Sequence, residues 1–255
     1  MSLAAQGLRL PGRLSGVSLE LARGELTAIV GPNGAGKSSL IACLAGLLAP
    51  AGGTVRLDGA PLATLAPRPR ARRIGYLPQG AEVAWDVTVE TLVALGRLPW
   101  QGAALHRAHA SARQDAAAVE AALAAMDLAA LRARPVSRLS GGERARALCA
   151  RVLAGEPEWL LADEPLANLD LAHAAALLAR FKAEARAGRG VVLVLHDLAA
   201  AMNHADRVIV LSHGAVAADG PPQTALSAAI VETVWQVSGR WLGEVGGRAF
   251  LMENR

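Results

Sequence analysis

Residues 31 to 38 read GPNGAGKS, a glycine-rich turn that ends in a lysine and a hydroxyl residue and follows the apolar run Thr27 to Val30. The pattern G-x-x-x-x-G-K-[ST] is a phosphate cradle: backbone N–H groups wrap the α/β-phosphates, Lys37 reaches the β/γ-phosphates, and the Ser38 hydroxyl can bind Mg²⁺. The contact set predicted from it is Gly31, Pro32, Asn33, Gly34, Ala35, Gly36, Lys37, Ser38 and Ser39. Leu40, Ile41, Leu44, Leu47 and Leu48 follow at helical spacing, so a helix N-terminus points its orphan N–H groups and dipole at the phosphates. Composition singles out the same lysine. Of the 26 lysines and arginines only Lys37 and Lys182 are lysine, and a compact ammonium suits a tight anion nest where a planar guanidinium does not. Lys182, in a polar stretch, reads as a solvated charge.

Further carboxylates, glycines and one histidine stand where ligand chemistry is expected. WLLADEP, Trp159 to Pro165, is an apolar strand ending in adjacent acids. Asp163 is placed to complete a Mg²⁺ shell with Ser38, and Glu164 to polarise an attacking water. LSGGE, Leu139 to Glu143, precedes a helical run, and its glycines expose N–H groups to a second anion. A plain N-cap accounts for Ser140 but not for Gly141 and Gly142, which are unfavourable at a helix start. A second phosphate-binding helix start without a second lysine loop suggests that two chains complete each other's sites. His196 follows the apolar strand Val191 to Leu195, at the carboxyl end where α/β sheets bind ligands. His106, His109, His173, His204 and His213 have no such setting and receive no role.

Apolar runs at 27–30, 74–77, 160–162, 191–195 and 208–211 lack strict alternation, as parallel strands covered on both faces do. Helical segments separate them, so the predicted class is α/β with a parallel, doubly wound core. Residues 15–21 and 54–58 alternate apolar and polar, which predicts an N-terminal antiparallel sheet beside that core. From about 87 to 154 the chain turns helical: Val89, Leu92, Val93 and Leu95 form one stripe, and another helix starts near Ser111, giving an inserted α-helical subdomain.

Cys43 and Cys149 lack C-x-x-C spacing and read as reduced core thiols of a cytosolic protein. The start MSLAAQGLRL has no basic region before a long apolar stretch, so no signal peptide is expected. The uncharged stretch 38–55 contains Pro50, Gly52 and Gly53 and reads as helix, turn and strand rather than a membrane span. The net charge of +4 and pI near 9.8 come with scattered arginines, one cluster at Arg68, Arg70, Arg72 and Arg73, and 3% aromatics. That offers no stacking platform for bases, so nucleic acid is not an expected partner and an anionic lipid surface is.

Taken in order, GPNGAGKS, YLPQ (Tyr76 to Gln79), LSGGE, LLADEP, LANLD (Leu166 to Asp170) and LHD (Leu195 to Asp197) resemble the ATP-binding subunits of ABC transporters. The resemblance implies a P-loop NTPase core in one ABC ATPase domain over 1–255, with ATP and Mg²⁺ as ligands. It makes Gln79 the residue that senses Mg²⁺ and γ-phosphate, Asp163 and Ser38 metal ligands, Glu164 the general base and His196 the γ-phosphate switch. It has Ser140, Gly141 and Gly142 clamp ATP held by a second copy, and Asp170 link the two sites. The implied partners are a second ATPase subunit, an integral-membrane permease and, indirectly, a periplasmic or surface binding protein. The implied location is the cytoplasmic face of the inner or plasma membrane.

Two departures stand out. LRLPGRL, Leu8 to Leu14, carries no aromatic where the family stacks adenine, and Leu166, Ala167 and Asn168 replace the frequent serine and alanine. TVETLVALGRLPWQG, Thr88 to Gly102, resembles importer ATPases for iron-siderophores, haem and cobalamin, and the RLSG stretch with the missing aromatic is similar to the cobalamin member. Trp85 and Trp100 flank that helix as packing or partner-interface residues. An exporter ATPase, or a soluble ABC-type ATPase of DNA repair or translation, stays open; one lysine loop and no sustained heptads argue against the latter.

Overall fold

The computed structural model describes residues 1–80, 86–101, 108–167 and 169–253. Trp85, Gly102, His106 and Asn168 lie outside the described residues. A six-stranded sheet forms the centre, in the order β10–β9–β3–β8–β7–β6. Its strands are β3 (Leu26–Val30), β6 (Ile74–Leu77), β7 (Trp159–Asp163), β8 (Gly190–Val194), β9 (Arg207–Ser212) and β10 (Ala215–Gly220). All pairings are parallel except that of β10 with β9, an antiparallel edge that the apolar runs did not announce.

Continuous burial explains the continuous apolar runs. Every residue of β3, β7 and β8 is buried, and alternate residues feed two separate cores. Val191 and Leu193 face one core with Leu160 and Ala162, while Val192 and Val194 face the other with Trp159 and Leu161. The first core is closed by α3 (Val89–Ala94), α4 (Ala108–Ala125), α5 (Gly141–Ala154) and α6 (Leu171–Arg186). The second is closed by α1 (Lys37–Leu44) and the N-terminal antiparallel sheet.

That N-terminal sheet has the order β2–β1–β4–β5, from β1 (Ser2–Leu10), β2 (Leu14–Ala22), β4 (Gly52–Leu57) and β5 (Ala60–Pro61). Two of its strands were unanticipated, the two-residue β5 and β1, which pairs with both β2 and β4. The helix after the phosphate loop is shorter than its apolar spacing predicts. It ends at Leu44, Gly46 takes φ +69°, and Leu47 is 61% exposed.

In the helical region Val89, Leu92 and Val93 are buried as expected, whereas Leu95 falls in a 3₁₀ turn and is partly exposed. The described part of α4 runs from Ala108 to Ala125. Buried Arg97 ties this region together through Asp115 (2.8 Å), Glu156 (2.7 Å) and the Ala154 carbonyl (2.9 Å). Trp100 packs locally: its Nε1 donates to the Gly155 carbonyl at 2.9 Å, and Arg72 and Arg97 lie over its ring.

The arginine cluster is not one open patch. It lies on α2 (Pro67–Arg73), where Arg73 is engaged by Asp58 and Glu158 and Arg72 donates to the Pro99 carbonyl. Lys182 is half-buried rather than fully solvated. Both cysteines are buried free thiols, and burial pushes Cys149 up to about 12. The chain closes with α7 (Leu198–His204), α8 (Pro222–Ala225), α9 (Ala228–Trp235) and the hairpin β11 (Gly239–Leu242) with β12 (Ala249–Met252). Among the described residues no helix is long and apolar enough to cross a membrane.

Candidate active site

Four strands adjacent in the sheet, β3, β8, β7 and β6, run parallel, so their carboxyl ends lie side by side at strand spacing. Each end delivers one sequence-predicted element: the phosphate loop after β3, His196 after β8, Asp163 and Glu164 at β7, and Gln79 after β6. A single sheet edge thereby collects residues up to 165 positions apart (31 to 196).

The loop arches over its own lysine. Lys37, the first residue of α1, is 5% exposed, and its Nζ donates to the carbonyls of Gly31 (2.8 Å) and Pro32 (3.0 Å). Desolvation lowers its pKa, opposed by the negative charges of Glu164 and Asp163. The ammonium is thus held at the mouth of the loop by weak neutral acceptors that phosphate oxygens can replace. Gly34 to Lys37, the exposed Ser38 and Ser39 line a cleft of about 480 Å³ with Asn33, Gly12, Arg13 and Glu164. Gly31 and Pro32 serve instead through the carbonyls that hold the lysine.

Asp163, the last residue of β7, is 3% exposed, and its Oδ1 is buried without a hydrogen-bond partner. Burial raises its pKa, with the Ser38 hydrogen bond and the Lys37 charge acting the other way and Glu164 adding to the rise. A buried carboxylate oxygen left over beside a serine hydroxyl is a donor set that fits a hard divalent cation such as Mg²⁺.

Glu164 takes φ +52°, a left-handed conformation costing about 1–2 kcal/mol for a residue with a Cβ. The strain turns its side chain away from the strand direction and into the site. Gln79 Nε2 donates to its Oε2 at 2.5 Å, and His196 Nε2 pairs with its Oε1. One carboxylate is thus held through both oxygens by Gln79 and His196, two of the three other residues that the sequence assigns to catalysis, Lys37 being the third. The chain position of Glu164 borders two clefts, that of the phosphate loop and a second of about 590 Å³ shared with Gln79, Gly141, Arg144 and Pro165.

The LSGGE segment is not part of the phosphate-loop cleft. Exposed Ser140 caps α5 in a capping box: its Oγ accepts from Glu143 N (3.2 Å), and its own N–H donates to Glu143 Oε2 (2.8 Å). Gly142 has a packing reason that the anion argument missed. A Cβ there would lie 2.8 Å from the ring of His173.

His173 in turn is bound to Asp170, whose Oδ1 accepts from the His173 backbone N–H at 2.8 Å and lies 2.7 Å from its Nδ1. His173, left without a role by the sequence, therefore joins the LANLD loop to the LSGGE helix. The i,i+3 spacing from Asp170 was the available signal.

The family model described as ABC transporter matches residues 14–167. The hemin import ATP-binding protein HmuV of Nocardia farcinica is 48% identical over 223 residues, which cover 88% of this chain and 75% of that one. Its namesake in Streptomyces coelicolor is 45% identical, over 91% of this chain and 82% of that one. A metal-chelate type ABC transporter solved in an inward-facing conformation superposes with TM-score 0.83 at 23% identity, covering 99% of this chain and 97% of that one. On motif order, fold and these relatives, the chain belongs to the ABC transporter family as one of its ATP-binding ATPase subunits.

Proposed function

We propose that this subunit hydrolyses ATP to energise haem uptake through a membrane permease, working as a homodimer on the cytoplasmic face of the membrane. The cargo rests on one observation: relatives 45% to 48% identical across about nine-tenths of the chain carry the name hemin import ATP-binding protein. An iron-siderophore or cobalamin cargo has the softer support of the 88–102 stretch.

The chemistry follows from the strand-end cluster. Lys37 exchanges the Gly31 and Pro32 carbonyls for β- and γ-phosphate oxygens, and the loop N–H groups take the remaining phosphate contacts. Ser38 and Asp163 would hold Mg²⁺, which would supply positive charge against the charge of the transferring phosphoryl group. Glu164 accepts the proton of the water that attacks the γ-phosphorus while the bond to the β-phosphate oxygen breaks, yielding ADP and inorganic phosphate. His196 and Gln79 orient that carboxylate and sense the γ-phosphate; the support is their contact with Glu164.

Ser140, Gly141 and Gly142 of a second copy close over the phosphates. The support is that the chain's own LSGGE segment does not line its phosphate-loop cleft.

The test is ATPase activity of the complex with its permease in lipid, given binding protein loaded in turn with haem, ferric siderophore and cobalamin. Selective stimulation by haem is the expected result. Stimulation by another cargo reassigns the substrate, and none by any of them, with basal hydrolysis intact, turns the reading toward an exporter.

A further inference from the structure

The turn between β1 and β2 sits on the phosphate loop and is held there by backbone. The Arg13 carbonyl closes on Gly36, which takes φ +98°: a Cβ at Gly36 would lie 2.4 Å from that oxygen. The same carbonyl packs on Gly214, where a Cβ would lie 2.7 Å away. Ser15 N–H donates to the Gly214 carbonyl at 2.8 Å, and Gly214 N–H donates to the Ala35 carbonyl at 3.2 Å. Three segments distant in sequence are thus locked together at the cleft wall.

Any residue at position 13 supplies that carbonyl. The guanidinium is therefore not needed for the packing. It projects at the cleft rim, exposed, with Nη1 donating to the Ser39 hydroxyl over a long 3.4 Å. Arg13 and Lys37 are the two cations among the described residues lining the cleft, and no aromatic side chain lines it. Lys37 occupies the end marked by Gly31 and Pro32, whereas Arg13 lies beside Ser39 within the first turn of α1.

We infer that Arg13 is a nucleotide-binding residue that grips the phosphate chain on its nucleoside side, so that the site holds its ligand by charge at both ends of the cradle and discriminates weakly between bases. The inference rests on the cleft being a nucleoside triphosphate site. A guanidinium carries five donors in a planar fork, so donating to Ser39 leaves others to meet a phosphate oxygen. A wall of glycine, backbone and arginine offers little that distinguishes adenine from guanine, because the contacts stop at the phosphates. Among the described residues the cleft lining offers charge and no aromatic face on which a base could stack.

The experiment is calorimetric titration of the full chain with ATP, GTP and inorganic tripolyphosphate, each with Mg²⁺, for the wild type, Arg13→Ala and Arg13→Lys. The wild type should bind ATP and GTP within about threefold of each other. Arg13→Ala should weaken all three ligands alike, by about tenfold, the scale of one charge-assisted hydrogen bond. Arg13→Lys should recover part of that loss, and a far-ultraviolet melt will show both variants folded. Loss of ATP affinity with tripolyphosphate binding intact would overturn the inference in favour of a base contact, and unchanged binding of all three would remove Arg13 from the site. A folded wild type that binds none of the three overturns the nucleotide reading itself, a result separable from either of those.

Discussion

The phosphate-loop side and the LSGGE side are built on opposite plans. On the first, side chains from four adjacent parallel strand ends meet: Lys37 and Asp163 are buried, and Glu164 is bound by Gln79 and His196. On the second, Ser140 and Gly141 are exposed at a helix start whose capping box takes up the Ser140 and Glu143 N–H groups and none of the glycine N–H groups, with His173 pressed against Gly142. Glu164, which must do chemistry, is held strained at φ +52° and half-buried, although Ser38, Gln79 and His196 around it are exposed. A group that must dock against another surface is fixed by its neighbours, as Ser140 is by Glu143, and faces outward.

The widest separation between the two sides should come from Glu164→Gln. An amide cannot accept the water's proton, so steady-state turnover should fall by about 10²- to 10⁴-fold while ATP affinity stays within about threefold of wild type. Normal hydrolysis by that variant would take Glu164 out of the base role. Lys37→Ala should act one step earlier, on binding. Losing a largely buried cation that meets two phosphates should weaken ATP by roughly 100-fold, as two charge-assisted hydrogen bonds would. Unchanged binding by equilibrium dialysis would contradict the cradle.

These two sides were also unequally legible in the sequence. The phosphate loop, Asp163, Glu164 and His196 could be read because a sheet covered on both faces leaves continuous apolar runs, and each reactive residue directly follows one. What no local pattern carries is strand order. The meeting of Gln79, Glu164 and His196 exists only because β6, β7 and β8 are neighbours. The β1 strand was missed because register shifts between Ala5 and Arg9 break its alternation. The helix after the loop was drawn too long because Leu47 and Leu48 continue its spacing past Gly46, where the backbone turns left-handed. His173 escaped because its contact with Gly142 spans 31 positions and two helix starts.

That contact offers a sharper test of the docking side. Gly142→Ala puts a Cβ 2.8 Å from the His173 ring, so either the ring or the helix start must move. ATP affinity of the single subunit should not change, because Gly142 does not line the phosphate-loop cleft. Turnover should fall by about tenfold, the effect of roughly 1.4 kcal/mol in the barrier. Adding His173→Ala should restore part of it, since the second change removes the obstruction that the first one meets. Additive losses in the double variant would mean that the Cβ at position 142 obstructs something other than His173.

The smallest effect should be an acid dependence at the LANLD loop. Asp170 has its pKa lowered from the ordinary value of 3.8, first by the His173 backbone N–H and then by its side chain. A carboxyl depressed in the folded state stabilises the fold fully above its unfolded value and loses that contribution as pH falls through the depressed one. The link between loop and LSGGE helix should therefore hold at pH 5 and above and weaken below about pH 4. Because Asp170 is exposed, its loss should shift the thermal midpoint only slightly, and Asp170→Asn should flatten the difference between pH 5 and pH 3 without touching ATP affinity. If Asp170→Asn instead weakened ATP binding by the isolated subunit, the LANLD loop would belong with the phosphate-loop side, and the division into a reactive half and a docking half would fall there.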